Sequence, residues 1–347
     1  MLEQDTPNAN SLTSEGVSAR GELAIANDGR YDPVVMAAWL YYHEGLTQAE
    51  IAAHLGVSRP SVANLLAKAR SEGVVTISLR ADYLSNLTLS KEFKQHFGLS
   101  DVLIVPTPEG ADTLSVNRSI GKAGALYLER TLKPGDVFAT AWGATVLEVA
   151  TALSGTTVDN LTIAQSLGGL STADAFNPSR VASLMADKLG ARLYHLYVPA
   201  VVESEAVRDI LLRDRSIKTA LDVTRTATIA MLGIGKVAHD ATVVKAGFIT
   251  PAQIDELSAK GAVGDIAGRF FDINGQLVPT ELDRRIIALT LEEIRQISPV
   301  IAVVGGREKV RAVLGALRGG YLDVLIIDER TAKAVLMLDK KLQSETN

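Results

Sequence analysis

The sequence predicts two structural classes in one chain: an N-terminal all-α helix-turn-helix domain with a wing-like strand, followed by an α/β domain built on a mainly parallel sheet. Three observations predict this. Residues 46–62 carry the start and stop signals of two short helices around a tight turn. After Asp101, β-rich runs alternate with helical patterns, the signature of a helix-covered parallel sheet. The 347 residues are 47% apolar and 22% charged, an ordinary globular composition and ample for two cores.

In chain order, residues 1–30 are poor in large apolar side chains and read as a mobile tail. Residues 31–82 form the helix-turn-helix domain, 83–100 a linker helix, and 101–342 the α/β domain. The strand runs are Val102–Val105, Val137–Thr140, Leu161–Gln165, Leu193–Val198, Ala227–Leu232, Val300–Val304 and Val324–Ile327. Leu114–Glu129, Thr145–Leu153 and Arg307–Leu317 read as helices between them.

In the first domain, Thr47 and Glu50 form a capping box, in which a hydroxyl and a carboxylate satisfy two orphan amides at a helix start. Ile51 and Leu55 give that helix its buried face, and Gly56 supplies the left-handed residue that ends it. Ser58 caps the second helix, whose first turn tolerates Pro60. Val62, Leu65, Leu66 and Ala69 make its apolar stripe, while Ser61, Asn64 and Lys68 share another face. Such a helix lays its N-terminal half in a major groove. The expected DNA contacts are Thr47, Gln48, Ser58, Arg59, Ser61, Asn64, Lys68 and Arg70. The chain carries a net charge of −5, yet from Gly56 to Arg80 four basic residues face Glu72 alone. An acidic protein thus carries a basic reader. The strand-like Val74–Ile77 that follows suits a wing or a docking strand.

In the larger domain four predicted strands end in small turns: Ala141–Thr145, Leu167–Gly169, Gly233–Gly235 and Gly305–Lys309. Ligands of open α/β sheets sit beyond the carboxyl ends of the strands, where glycine admits a close approach and helix starts aim amides at anions. Gly264-Asp265-Ile266 adds a carboxylate able to bind sugar hydroxyls. Gly233-Ile234-Gly235-Lys236-Val237-Ala238 matches a dinucleotide fingerprint, but β-branched Thr242-Val243-Val244 and Gly247 make a poor following helix. The absence of cysteine excludes disulfides, thiolate catalysis and Cys-ligated metals. The five histidines are scattered without metal spacing, and no G-x-S-x-G elbow is present. No cofactor, metal or membrane span is expected, and the simplest location is the cytoplasm.

With these residues the chain resembles transcriptional regulators of the SorC/DeoR-type sugar-binding family. The likeness rests on Leu46–Val62, Trp142-Gly143-Ala144-Thr145, Gly264–Gly275, and Val303–Lys309 through Ile327-Asp328-Glu329. It implies a sugar-phosphate isomerase/deaminase-like second domain that binds a sugar, polyol or sugar phosphate without turning it over. It also implies a homotetramer that grips double-stranded DNA at paired operator half-sites and changes its grip on effector binding. Carried over, the effector contacts are Gly143 and Thr145, Gln165 and Gly168, Asp265 for hydroxyls and Lys309 for an anion or hydroxyl, with Asn177 and Arg180 beside them. Relatives often hold a basic or hydroxyl residue where this chain has Ala144, which favours an unphosphorylated ligand. The rival expectation is an isomerase or deaminase with a fused helical module, using Asp265 and Lys309 as acid and base.

Overall fold

The computed structural model describes residues 32–75, 81–108, 110–170 and 177–346, and the tail assigned to residues 1–30 lies outside them. The chain divides into two units, Met1–Leu79 and Arg80–Asn347.

The first unit is a three-helix cluster: α1 (Pro33–Tyr42), α2 (Gln48–Leu55) and α3 (Arg59–Ser71). Each start is capped from within its own few residues. Asp32 accepts from the Val34 amide at 2.7 Å, and the Thr47–Glu50 capping box is complete. Ser58 accepts from the Ser61 amide at 3.2 Å. Gly56 ends α2 in the left-handed region at φ 66°, which glycine adopts without a Cβ penalty. Ala37, Leu40, Ile51, Val62 and Leu66 form the core. Of the strand expected at Val74–Ile77, Val74 and Val75 form a bend after α3, and the Val75 amide bonds the Ala69 carbonyl. Thr76 and Ile77 lie outside the described residues.

The second unit opens with α4 (Ala81–Phe97), the helix expected as a linker. Leu89 and Phe93 bury it against this unit's own core, since an apolar stripe of that size needs cover. There follow β1 (Asp101–Val105), α5 (Thr113–Thr131), β2 (Val137–Thr140), α6 (Ala144–Ala152), β3 (Thr162–Gln165), α7 (Pro178–Leu189) and β4 (Arg192–Tyr194). Next come α8 (Glu205–Arg213), α9 (Arg215–Arg225), β5 (Ile229–Gly233), β6 (Gly235–Lys236), α10 (Thr242–Lys245) and α11 (Pro251–Ala259). The remainder is β7 (Ala262–Ile266), β8 (Arg269–Asp272), α12 (Leu291–Arg295), β9 (Val300–Val304), α13 (Val310–Arg318), β10 (Val324–Asp328) and α14 (Glu329–Thr346).

Seven strands pair in parallel in the order β1-β10-β9-β5-β2-β3-β4. Alternate residues of β10 enter different cores, Leu325 and Ile327 on one face and Val324 and Ile326 on the other. A sheet covered on both faces has to be built from such unbroken apolar runs. After β2 the chain moves outward to β3 and β4; after β5 it moves outward the opposite way, to β9 and β10. The β2/β5 boundary is therefore a topological switch point, where a crevice opens.

A separate antiparallel sheet, β6-β7-β8, stands beside it. Gly235–Lys236, the centre of the dinucleotide-like pattern, is a strand of this sheet and opens no helix. The strand expected over Leu193–Val198 stops at Tyr194, because Leu196 N and the His195 ring turn to the Gln165 side-chain oxygen instead. Among the described residues no helix is long and apolar enough to cross a membrane.

Candidate functional site

Two sites emerge, one in each unit. In the first, α3 presents the polar set. Arg59, Asn64, Lys68 and Arg70 are exposed, and Ser61 is half-buried. Ser58 and Ser61 are occupied by each other, Oγ to Oγ at 2.8 Å. Thr47 donates from its amide and its hydroxyl to Glu50, bonds that hold the Glu50 carboxyl below its ordinary range, while Gln48 is half-buried behind it. Lys68 lies 3.7 Å from Glu72, and Arg70 donates to the Tyr42 hydroxyl at 3.3 Å. Val62, Leu66 and Ala69 anchor the opposite face, so the exposed side chains project from a fixed helix.

The second site is a cavity of about 260 Å³ beyond the carboxyl ends of β2, β5 and β9, at the switch point. Gly143, at φ 127°, caps α6 with no side-chain bond, leaving the first amides of a nine-residue helix for a ligand. Thr145, 3% exposed, donates to Asn117 Oδ1 at 3.3 Å, so α5 also reaches this site. The β7–β8 hairpin delivers Asp265. One of its oxygens accepts from the Gly268 amide at 3.1 Å; the other, Oδ1, is buried without a partner among the described residues. Gly235 leaves it room, since a Cβ there would lie 1.8 Å from that oxygen. Burial pushes the Asp265 carboxyl up to about 6, against the pull of the Gly268 amide and of Lys309. Burial likewise lowers the Lys309 ammonium, while Glu308 and Asp265 support its charge.

The loop bearing Glu308 and Lys309 is anchored from β10. Asp328 accepts from the Gly306 amide at 3.1 Å and the Thr331 amide at 3.0 Å, and the Thr107 hydroxyl approaches it at 3.4 Å.

The structure thus gathers Gly143, Thr145, Asp265 and Lys309 around one cavity. It does not bring Gln165, Gly168 or Asn177 to the lining of that cavity. Gln165 is 1% exposed and accepts from His195 and the Leu196 amide while donating to Ser179. The Gly168 amide bonds the Ile287 carbonyl, and Asn177 caps α7 and donates to the Leu170 carbonyl. Arg180, in the first turn of α7, is exposed. Sequence reasoning missed Asn117, Lys236 and Glu308 in the lining. Lys236 carried a signal, a lysine directly after a strand-end glycine, but Asn117 sits mid-helix in no motif.

Residues 81–337 match the protein family described as "Putative sugar-binding domain", and residues 36–82 match the MarR family. The chain is 35% identical to the uncharacterized transcriptional regulator YjhU of Escherichia coli (strain K12), over 88% of this chain and 94% of that protein. It is 32% identical to the erythritol catabolism regulatory protein EryD of Brucella abortus (strain 2308), over 86% and 95%. The crystal structure of the full-length sorbitol operon regulator SorC from Klebsiella pneumoniae superposes with a TM-score of 0.70 at 30% identity, covering 87% of this chain and 97% of that one.

Proposed function

The chain belongs to the SorC/DeoR-type family of sugar-binding transcriptional regulators, and from that premise we propose that it controls a carbohydrate or polyol catabolic operon through an effector held at Asp265 and Lys309. It reads double-stranded DNA with α3: Arg59 and Asn64 suit guanine and adenine by bidentate pairing, Ser61 adds a short contact, and Lys68 and Arg70 meet phosphates. It works in the cytoplasm as a homotetramer on paired half-sites.

The observation that carries the effector reading is Asp265, a buried carboxyl with an unpartnered oxygen on the wall of a small cavity. A hydroxyl supplies what that oxygen lacks, and an unsatisfied buried acceptor costs free energy until it gets one. The lining pairs Lys236, Lys245 and Lys309 with Asp240, Asp265 and Glu308, a balance that favours a neutral polyhydroxyl ligand over a dianionic phosphate. The volume is below the drug-sized range and suits a small sugar or polyol. Names of relatives that include sorbitol and erythritol support the same class.

Thermal shift with sorbitol, erythritol and their phosphates tests it. An unphosphorylated polyol raises the melting temperature of the wild type and not of Asp265→Asn, because a ligand that binds only the folded state stabilises it. Stabilisation by phosphates alone refutes the charge argument. The enzymatic reading draws on the same raised carboxyl and lowered ammonium; turnover of sugar phosphates, lost in Asp265→Asn, would establish it. For the reader, Asn64→Ala loses preference at a defined base, and Lys68→Ala weakens all sequences alike. Unchanged footprints in both would remove α3 from the groove.

A further inference from the structure

Asp265 and Lys309 stand on elements that leave the effector cavity together. Lys309 directly precedes α13, and Asp265 lies in β7, on the hairpin packed along that helix. The two approach closely: a Cβ on Gly264 would lie 2.5 Å from the Ala312 side chain, and one on Gly315 would lie 2.5 Å from the Asp272 carbonyl. Ala312, Val313, Leu314 and Ala316 are buried. Hairpin and helix therefore shift as one body, because close-packed interiors transmit strain. At the far end of α13, about 13 Å along the helix axis, Arg318 donates from Nη1 to Asn274 Oδ1 in the hairpin turn at 3.2 Å. Its Nε and Nη2 donate to Asp339 Oδ1 of α14 at 2.9 and 2.6 Å. Asp339 is 1% exposed, and its other oxygen accepts from Gln343 at 2.7 Å and from His96 Nε2 at 2.6 Å. His96 is in the last turn of α4, the helix that follows the reader unit in the chain.

We propose that Asp339 is the positioning residue that carries the state of the effector cavity to α4, through Arg318 on one oxygen and His96 on the other. The proposal rests on the reading of the Asp265–Lys309 cavity as the effector site. A ligand that draws on either group moves α13 and the hairpin, and Arg318 and Asn274 move with them. Asp339 cannot stay behind, since a buried carboxylate that loses a charged partner is strongly destabilised. The shift reaches His96 and so α4, whose other end joins the reader in sequence. A staple for α14 alone would need only Arg318 and Gln343; the bond to α4 is what makes Asp339 a relay. The exposed Lys340–Glu92 pair, at 2.8 Å, also links α14 to α4 but bypasses Asp339.

Hydrogen exchange read by mass spectrometry on the full-length protein tests this, with the peptide 85–97 of α4 as readout and Asp265→Asn as the disturbance of the cavity. Asp265→Asn changes exchange in α4 at least about twofold, the least that marks coupled sites. It leaves α9, which packs in a different core, unchanged. In a His96→Gln background the same substitution no longer moves α4. In a Glu92→Gln background the change keeps its full size. Asp339→Asn reproduces the His96→Gln result; where it fails to fold, His96→Gln, at the rim of the network, decides alone. The proposal is overturned if α4 does not respond to Asp265→Asn, or responds equally with His96 replaced. It is also overturned if Glu92→Gln silences the response as well, or if α9 changes as much as α4. Sorbitol and erythritol, added to the wild type, separate the two readings. If neither polyol binds, while Asp265→Asn still moves α4 through His96, the relay stands and the polyol reading of the cavity fails.

Discussion

The helix starts of the reader are capped locally, whereas the surroundings of the effector cavity draw on partners far apart in sequence. In the reader, every helix start is capped from two or three residues away: Asp32 to Val34, Thr47 to Glu50, Ser58 to Ser61. Around the cavity, beside the local bond of Asp265 to Gly268, partners come from across the chain: Thr145 with Asn117 in the lining, and, in the support of the Lys309 loop, Gly306 with Asp328 and Thr107 with Asp328 over a separation of 221 residues. The reader is thus a local object with little core, and the cavity is a product of topology inside a large one. Local caps define helices cheaply but leave stability to a few apolar contacts. Long-range assembly can hold a strained carboxyl such as Asp265 in place because two extensive cores surround the sheet.

The contrast breaks most visibly at Leu66. Leu66→Ala in the reader core costs about 2–5 kcal/mol, comparable to the whole stability of so small a unit. Calorimetry is expected to show loss of the reader's transition while that of the sheet unit is unchanged. A shift of both transitions would mean the units do not melt independently.

Asp265 gives the next effect, and with the opposite sign. Its folded value of about 6 lies above the ordinary 3.8, so the fold favours the protonated form. That stabilisation is complete below about pH 4 and is lost as the pH rises through 6. At pH 8 ligand-free Asp265→Asn is therefore more stable than the wild type, by up to about 3 kcal/mol. Denaturant titrations should show the gap closing by pH 4. A gap that persists there would point to packing instead of charge.

Ser58→Ala removes one cap of α3 and costs about 1 kcal/mol, read as a lower melting temperature of the reader transition alone. Smallest in stability is Lys68→Ala. Its side chain is exposed, so the melting temperature stays put while the salt dependence of DNA binding falls by about one unit of slope. Unchanged slope would take Lys68 off the phosphates.

The same contrast explains what could be read in advance. The first reader helix was legible at both ends and the second at its start, since Thr47, Gly56 and Ser58 act on neighbours in sequence. Strand identity was legible too, because a doubly covered strand such as Val324–Asp328 must be an apolar run. The insertion of β5 between β9 and β2 was not, since strand order is written in no local pattern. The β6-β7-β8 sheet was missed as strands: glycines interrupt it, and its register shifts between Ala262 and Gly264. Gly143, Thr145, Asp265 and Lys309 were named through the family resemblance; Gly143, Thr145 and Lys309 sit in turns after strands that end at the switch point, and Asp265 lies within β7. Gln165 and Gly168 obey the same rule at the end of β3. But β3 lies one strand beyond β2, and its turn is spent on His195, Leu196 and Ile287.

Binding of the full-length protein to duplexes from the region flanking its own gene, with and without the polyol that stabilises it, tests the central claim most directly. Couplings in such systems are about 1–3 kcal/mol, so the polyol is expected to change wild-type affinity about 5- to 150-fold and to leave Asp265→Asn unmoved. The same affinity with and without ligand, or an equal response in both proteins, would contradict the account.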